Sequence, residues 1–208
     1  MPHVIRSPSN QPTRTMKRPS SSSRPVPRRS AARGFTLIEL LVVIAIIVIG
    51  TGIAAPQMTK MMGTNRVQTE ASALVGDLQY ARTEAIKRGS WVTACPSTDG
   101  STCLTANTWH SGWIVFGDVA GNGVYDSSTD GPVLRVRAAA KSGDTIVAAP
   151  QPSPNAVTFN REGLTTNLGT STVTLTLHTA DSYAPSTRCV LVTFGGKLTT
   201  VAKGTSCS

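Results

Sequence analysis

Glu39 is the one carboxylate in FTLIELLVVIAIIVIGTGIAA, residues 35–55, and Gly34 stands immediately before that run. A carboxylate carried into hydrocarbon costs roughly 2.5–3.5 kcal/mol at mid-helix, so keeping it there demands a counter-charge. Cleavage of the chain after Gly34 would make one, because it leaves the apolar run in place with a new amine at Phe35, about one helical turn from Glu39. Within one chain the two groups interact weakly. Between two chains packed side by side, Glu39 of one meets the Phe35 amine of the next, and each neutralises the other. The plainer reading is a lone acid near a helix start, favoured by the macrodipole and reaching to the headgroups.

The other reactive residue types assemble into less. Cys95 and Cys103 flank a polar loop, and Cys189 and Cys207 close a longer span at the end of the chain. Outside the cytoplasm four cysteines form two disulfides in one of three connectivities, of which the sequential pairing, Cys95–Cys103 and Cys189–Cys207, is expected here. There is no Cys-x-x-Cys, and His110 is the only imidazole near the first pair, so no metal site is assigned. GDVAGNGVYDSSTDG offers Asp118, Asn122, Asp126 and Asp130 as calcium ligands. Ala120 breaks the required alternation, and Thr129 stands where a bidentate acid would close the loop. A turn built on Asn122-Gly123 between two strands accounts for the same residues. His3, His110 and His178 accompany no nucleophile motif or paired acids, so no catalytic residue and no cofactor is expected. Trp109, Trp113 and Phe116 read as core.

Charge divides the chain. It holds 20 basic and 11 acidic residues for a net charge of +9, yet eight of the basic residues and no acid lie in residues 1–34. The remainder is nearly neutral, so global charge is no argument for nucleic acid. Proline-rich and serine-rich, residues 1–34 read as a basic leader unable to build a core; Met16 is an alternative start. Positive flanks stay cytoplasmic, which places everything after about residue 56 outside. Residues 35–56 are long enough for a transmembrane or filament-core helix. Residues 57–89 continue it as an amphipathic half, with Val67, Ala71, Leu74, Leu78, Ala81 and Ala85 on one face. Gly50, Gly52, Pro56 and Gly63 are expected to bend or loosen the helix, and Lys87-Arg88-Gly89 to end it. Residues 90–208 switch to period two, with eight short strands expected at Trp91–Cys95, Gly112–Phe116, Val133–Arg137, Thr145–Ala148, Ala156–Phe159, Thr172–His178, Cys189–Phe194 and Lys197–Ala202. The class is α+β: a long N-terminal helix packed on an antiparallel, sheet-rich domain.

RGFTLIELLVVIAIIVIG resembles the class III signal of type IV pilins and of the pseudopilins of type II secretion. DLQYARTEAIKRG, CPSTDGSTC, WHSGWIVFGD and VTFNREG resemble the GspH/FimT group within them. The resemblance implies a type IV pilin-like fold and cleavage between Gly34 and Phe35 by a prepilin peptidase, with N-methylation of Phe35. It implies subunit registration by Glu39 and a helix kink at Pro56. It further implies a single-pass inner-membrane protein with a periplasmic C-terminal domain that enters a pilus or pseudopilus beside other pilins or pseudopilins. Two functions stay open: a minor type IV pilin that helps initiate or cap the filament, and a type II secretion pseudopilin. An anchored periplasmic enzyme is a third reading, with no catalytic motif behind it. DNA-binding members of the group carry Gly-Arg-x-Arg near the C-terminus, where this chain has Gly196-Lys197-Leu198-Thr199. Any contact with double-stranded DNA during uptake would therefore fall to Lys197, Lys203 and Arg188, without arginine's fork at the first position.

Overall fold

The computed structural model describes residues 34–149, 155–168, 171–204 and 207, with the side chains of 53–56 excepted. The expected leader lies outside these residues apart from Gly34. By backbone contacts the chain divides into two units, one ending at Ile44 and one running from Ala45 to Ser208.

Helix α1 spans Leu37–Arg88. Its end follows from Gly89 in the left-handed region, φ +64°. There Ser90 N donates to Ala85 O and Gly89 N to Ile86 O, both at 3.3 Å, the paired bonds that close a helix on glycine. Val67, Ala71, Leu74, Leu78, Ala81 and Ala85 are all buried, as their spacing requires. They pack against Trp109, Trp113, Phe159, Leu175, Leu177 and Val190 in the main core. Gly63 lies inside α1, where an added Cβ would come within 3.2 Å of Thr179 Cγ2. Close approach to the loop after the sixth strand is thus a reason for glycine at 63.

Eight strands follow: β1 Val92–Pro96, β2 Trp113–Gly117, β3 Arg135–Arg137, β4 Thr145–Ala149, β5 Val157–Phe159, β6 Val173–His178, β7 Arg188–Val192 and β8 Leu198–Ala202. They form two antiparallel four-stranded sheets, ordered β3-β2-β1-β5 and β4-β6-β7-β8. β6 alternates buried and half-buried residues, whereas all five residues of β1 are buried. The far face of the first sheet is covered too: Cys95, Ile114 and Phe116 form a second cluster with Ala156, Cys103 and Tyr125. Cys95 is bonded to Cys103 and Cys189 to Cys207, the sequential connectivity.

Buried carboxylates tie the sheets to the helix. Asp77 accepts from Trp113 Nε1 at 3.0 Å, Arg135 Nη1 at 2.8 Å and Arg137 Nη2 at 3.0 Å. Asp144, just before β4, accepts from Arg66 Nε and Nη2, and from Ala180 N at 3.2 Å. The Asp144 carboxylate raises the pKa of the Arg66 guanidinium. Polar side chains this deep need such partners.

Candidate functional site

Gly34 and Phe35 precede α1 without regular structure, and Phe35 is 78% exposed. Thr36 occupies the N-cap. Its carbonyl accepts from Leu40 N at 3.2 Å, and its Oγ1 accepts from Glu39 N at 3.3 Å. Thr-x-x-Glu is the capping-box spacing. That spacing is itself a sequence signal for a helix start, separate from the charge of Glu39. A cap here lets the helix begin two residues after the expected cut, and it puts Glu39 in the first turn, where the dipole favours an anion.

From Leu37 to Ile49 the large apolar side chains are exposed on every face of the helix; Ile49, for example, is 66% exposed. A helix apolar all round needs lipid or other helices around it. Among the described residues, α1 is the one helix long and apolar enough to cross a membrane. The segment therefore joins an all-round apolar surface, a single acid and a capped first turn beside the Gly34–Phe35 bond. Pro56 lies within α1, in the stretch whose side chains fall outside the described ones.

The other candidates spread over the β-rich portion. Asp118 is fully buried and accepts from Thr93 Oγ1 at 2.8 Å, Asn122 N at 3.1 Å and Gly123 N at 2.8 Å. Asp130 accepts from Val119 N and Asp126 N, each at 2.9 Å. The Ser128 hydroxyl and N–H hold the Asp126 carboxyl below its ordinary pKa. These acids are spent on the loop's own donors and, for Asp118, on Thr93 of β1, although β2 and β3 are joined by the whole of residues 118–134 rather than by a tight hairpin. Asp99, in the loop closed by Cys95 and Cys103, accepts from the N–H of Ser101, the hydroxyl of Thr102 and the N–H of Thr102, which hold its carboxyl far below the usual range. His110 Nδ1 lies 3.5 Å from Ile146 O, and His178 Nδ1 lies 3.1 Å from Thr187 Oγ1. Among the described residues no three of His, Cys, Asp and Glu are grouped to hold a metal.

Lys197 and Lys203 are exposed and bracket β8. Arg188 is differently placed. Its Nε donates to Gln68 Oε1 at 2.8 Å, and its Nη1 donates to the carbonyls of Pro185 at 3.0 Å and Thr187 at 2.9 Å. Those bonds commit it to holding β7 and the preceding turn against α1.

Comparison with known proteins agrees with this division. Residues 29–55 match the prokaryotic N-terminal methylation motif. Residues 70–196 match the family described as type II transport protein GspH. Among solved structures, the type IV minor pilin FimU of Pseudomonas aeruginosa PAO1 is 19% identical, with a TM-score of 0.50 over 68% of this chain and 91% of that one. The minor pseudopilin EpsH from the type 2 secretion system of Vibrio cholerae is 17% identical, with a TM-score of 0.45 over 67% of this chain and 98% of that one. At such identities FimU speaks for a shared fold. With the family match running from the amphipathic half of α1 through the β7–β8 turn, the chain belongs to the GspH family.

Proposed function

We propose that this chain is a minor subunit of a type IV pilin-like filament, cleaved between Gly34 and Phe35, N-methylated at Phe35 and held in the inner membrane with residues 90–208 on the periplasmic side. The observation that carries the reading is the exposed apolar first part of α1 with Glu39 as its one acid, starting beside a Gly-Phe bond within a methylation motif. The mechanism is assembly. Thr36 holds the first turn, so that the amine of one subunit and the Glu39 carboxylate of its neighbour meet at a fixed height. The apolar surfaces then bundle in the filament axis. Loss of one member of such a buried pair costs about 3–5 kcal/mol, because the other charge is left alone.

The filament is a type IV pilus in the first reading, where the chain helps initiate or cap assembly. A second reading, a type II secretion pseudopilin, is favoured by the description of the matching family. Deleting the gene and scoring surface pili against secreted protein separates them, since each filament accounts for one of the two losses.

Mass spectrometry of the mature N-terminus tests the shared reading. The expected species begins at Phe35 and carries a methyl group. Glu39→Ala should leave that species intact and lower filament incorporation at least ~10-fold, the factor equivalent to about 1.4 kcal/mol. A native chain that begins upstream of Phe35 yet enters filaments normally would overturn it.

A further inference from the structure

The strand edges of the two sheets are finished differently. An edge presents unpaired N–H and C=O groups that template another strand unless something covers them. On the outer side of β4, Asn107 Nδ2 donates to Ala148 O at 2.6 Å and Asn107 Oδ1 accepts from Ala148 N at 2.9 Å. One primary amide stands in for a strand residue. β5 is sealed the same way: Asn167 Oδ1 accepts from Thr158 N at 3.1 Å, Asn167 Nδ2 donates to Ala156 O, and Thr166 N donates to Thr158 O at 3.0 Å. β3 is only three residues long, and its two arginines are drawn to Asp77.

β8 has five residues and, among the described residues, no side chain or loop bonded along its outer side. Thr193 N donates to Lys197 O at 3.1 Å, so these two form a hydrogen-bonded pair. Antiparallel alternation then turns Thr199 and Val201 toward β7, and the backbone groups of Leu198, Thr200 and Ala202 outward. Cys207 is held to Cys189 on β7 and exchanges two backbone bonds of 3.0 Å with Gly204. That anchors the end of the chain to the inner strand.

Charge decides which strand can join. Two copies pairing antiparallel about Thr200 would set each Lys197 opposite the other copy's Lys203, and like charges directly opposite are destabilising. In that register the edge disfavours its own copy and suits a segment with acids at the two matching places. We propose that the outer edge of β8 is a docking strand for an extended segment of another subunit of the filament. That segment joins antiparallel as the next strand and carries an Asp or Glu opposite Lys197 and another opposite Lys203. Only the identity of the partner rests on the filament reading.

The test uses the full chain in detergent micelles and the capped peptide Asp-Thr-Val-Thr-Val-Thr-Asp, with Lys-Thr-Val-Thr-Val-Thr-Lys as control. In residue-resolved hydrogen exchange of the free protein, the amides of Leu198, Thr200 and Ala202 should exchange faster than those of Thr199 and Val201. Saturating acidic peptide should slow the first three at least ~10-fold, while the lysine peptide should bind at least ~10-fold more weakly. Thr200→Pro removes an outward N–H and no ladder bond to β7, and should weaken the acidic peptide ~10-fold or more. Lys197→Glu with Lys203→Glu, which spares the backbone, should reverse the peptide preference. Outer amides already as slow as the inner ones, no saturable slowing by the acidic peptide, or unchanged preference in the double variant would each overturn the proposal. Because the peptide is added to the isolated subunit, its failure leaves the filament reading standing. An unprocessed N-terminus would likewise leave the β8 result standing.

Discussion

Arg82 Nε donates to the carbonyl oxygen of Gly163 at 2.9 Å, and Arg82 Nη2 lies 3.4 Å from that of Gly195. One helix side chain thus joins the turn after β5, in the first sheet, to the β7–β8 turn, in the second. Between them sits Gly196 at φ +70°, where an added Cβ would fall 2.1 Å from Gly163 O and 2.9 Å from Arg82 Nε. The loops meet only because this position has no side chain.

Gly196→Ala combines a left-handed backbone with a clash against a carbonyl, and should lower stability by about 2–4 kcal/mol. Gly195→Ala is the control, since its Cβ would meet only Thr193 Oγ1 at 3.9 Å. Urea unfolding of both variants checks the contrast; equal midpoints would contradict it.

Asp77→Asn keeps the shape of the side chain but removes the charge that holds Arg135 and Arg137. These arginines are 45% and 41% exposed, so solvent screens part of each pair, while the Trp113 contact is buried. The expected loss is about 1–3 kcal/mol. Chemical denaturation measures it, with Arg135→Ala alone costing less.

Acid should loosen the loop between Cys95 and Cys103. The Asp99 carboxyl is depressed from its ordinary 3.8 by the Ser101 N–H and the two Thr102 donors. A carboxylate depressed on folding stabilises the native state above its unfolded pKa and loses that contribution as pH falls from about 3.8 through the folded value. Asp99→Asn should therefore be less stable than the parent at pH 7 and converge with it toward the acid end. Thermal melts across pH 7 to 2 read this, and parallel curves would count against it.

Replacing Cys189 and Cys207 by serine should cost about 3 kcal/mol, the loop-closure value for a span of this length. Differential scanning calorimetry of oxidised parent and double variant gives the number. A difference under about 1 kcal/mol would mean that the tail is held by other means.

What could be read from the sequence was local. The helix stripe from Val67 to Ala85 was legible by its period and single buried face, and the strands by short β-prone runs set between turn residues, with β6 alternating cleanly. The helix end was legible from a different signal, two cations followed by Gly89. The division into two sheets was not, since no short-range feature says which strands share a ladder. Full burial of β1 was hidden because its second cover comes from distant loops through Tyr125 and Cys103. The buried role of Asp77 was hidden, as its partners lie 36 to 60 residues away. Arg188, named as a candidate DNA contact, donates to Gln68, 120 positions distant.

The asparagine seals carry a chemical liability. Slow hydrolysis of the Asn107 amide puts an oxygen where Nδ2 now donates, and that oxygen would face the carbonyl of Ala148 across 2.6 Å. Attraction becomes repulsion by exchange of a single atom. A deamidated subunit would then present β4 as an unpaired margin, so the lifetime of two side-chain amides limits how long these two edges stay closed.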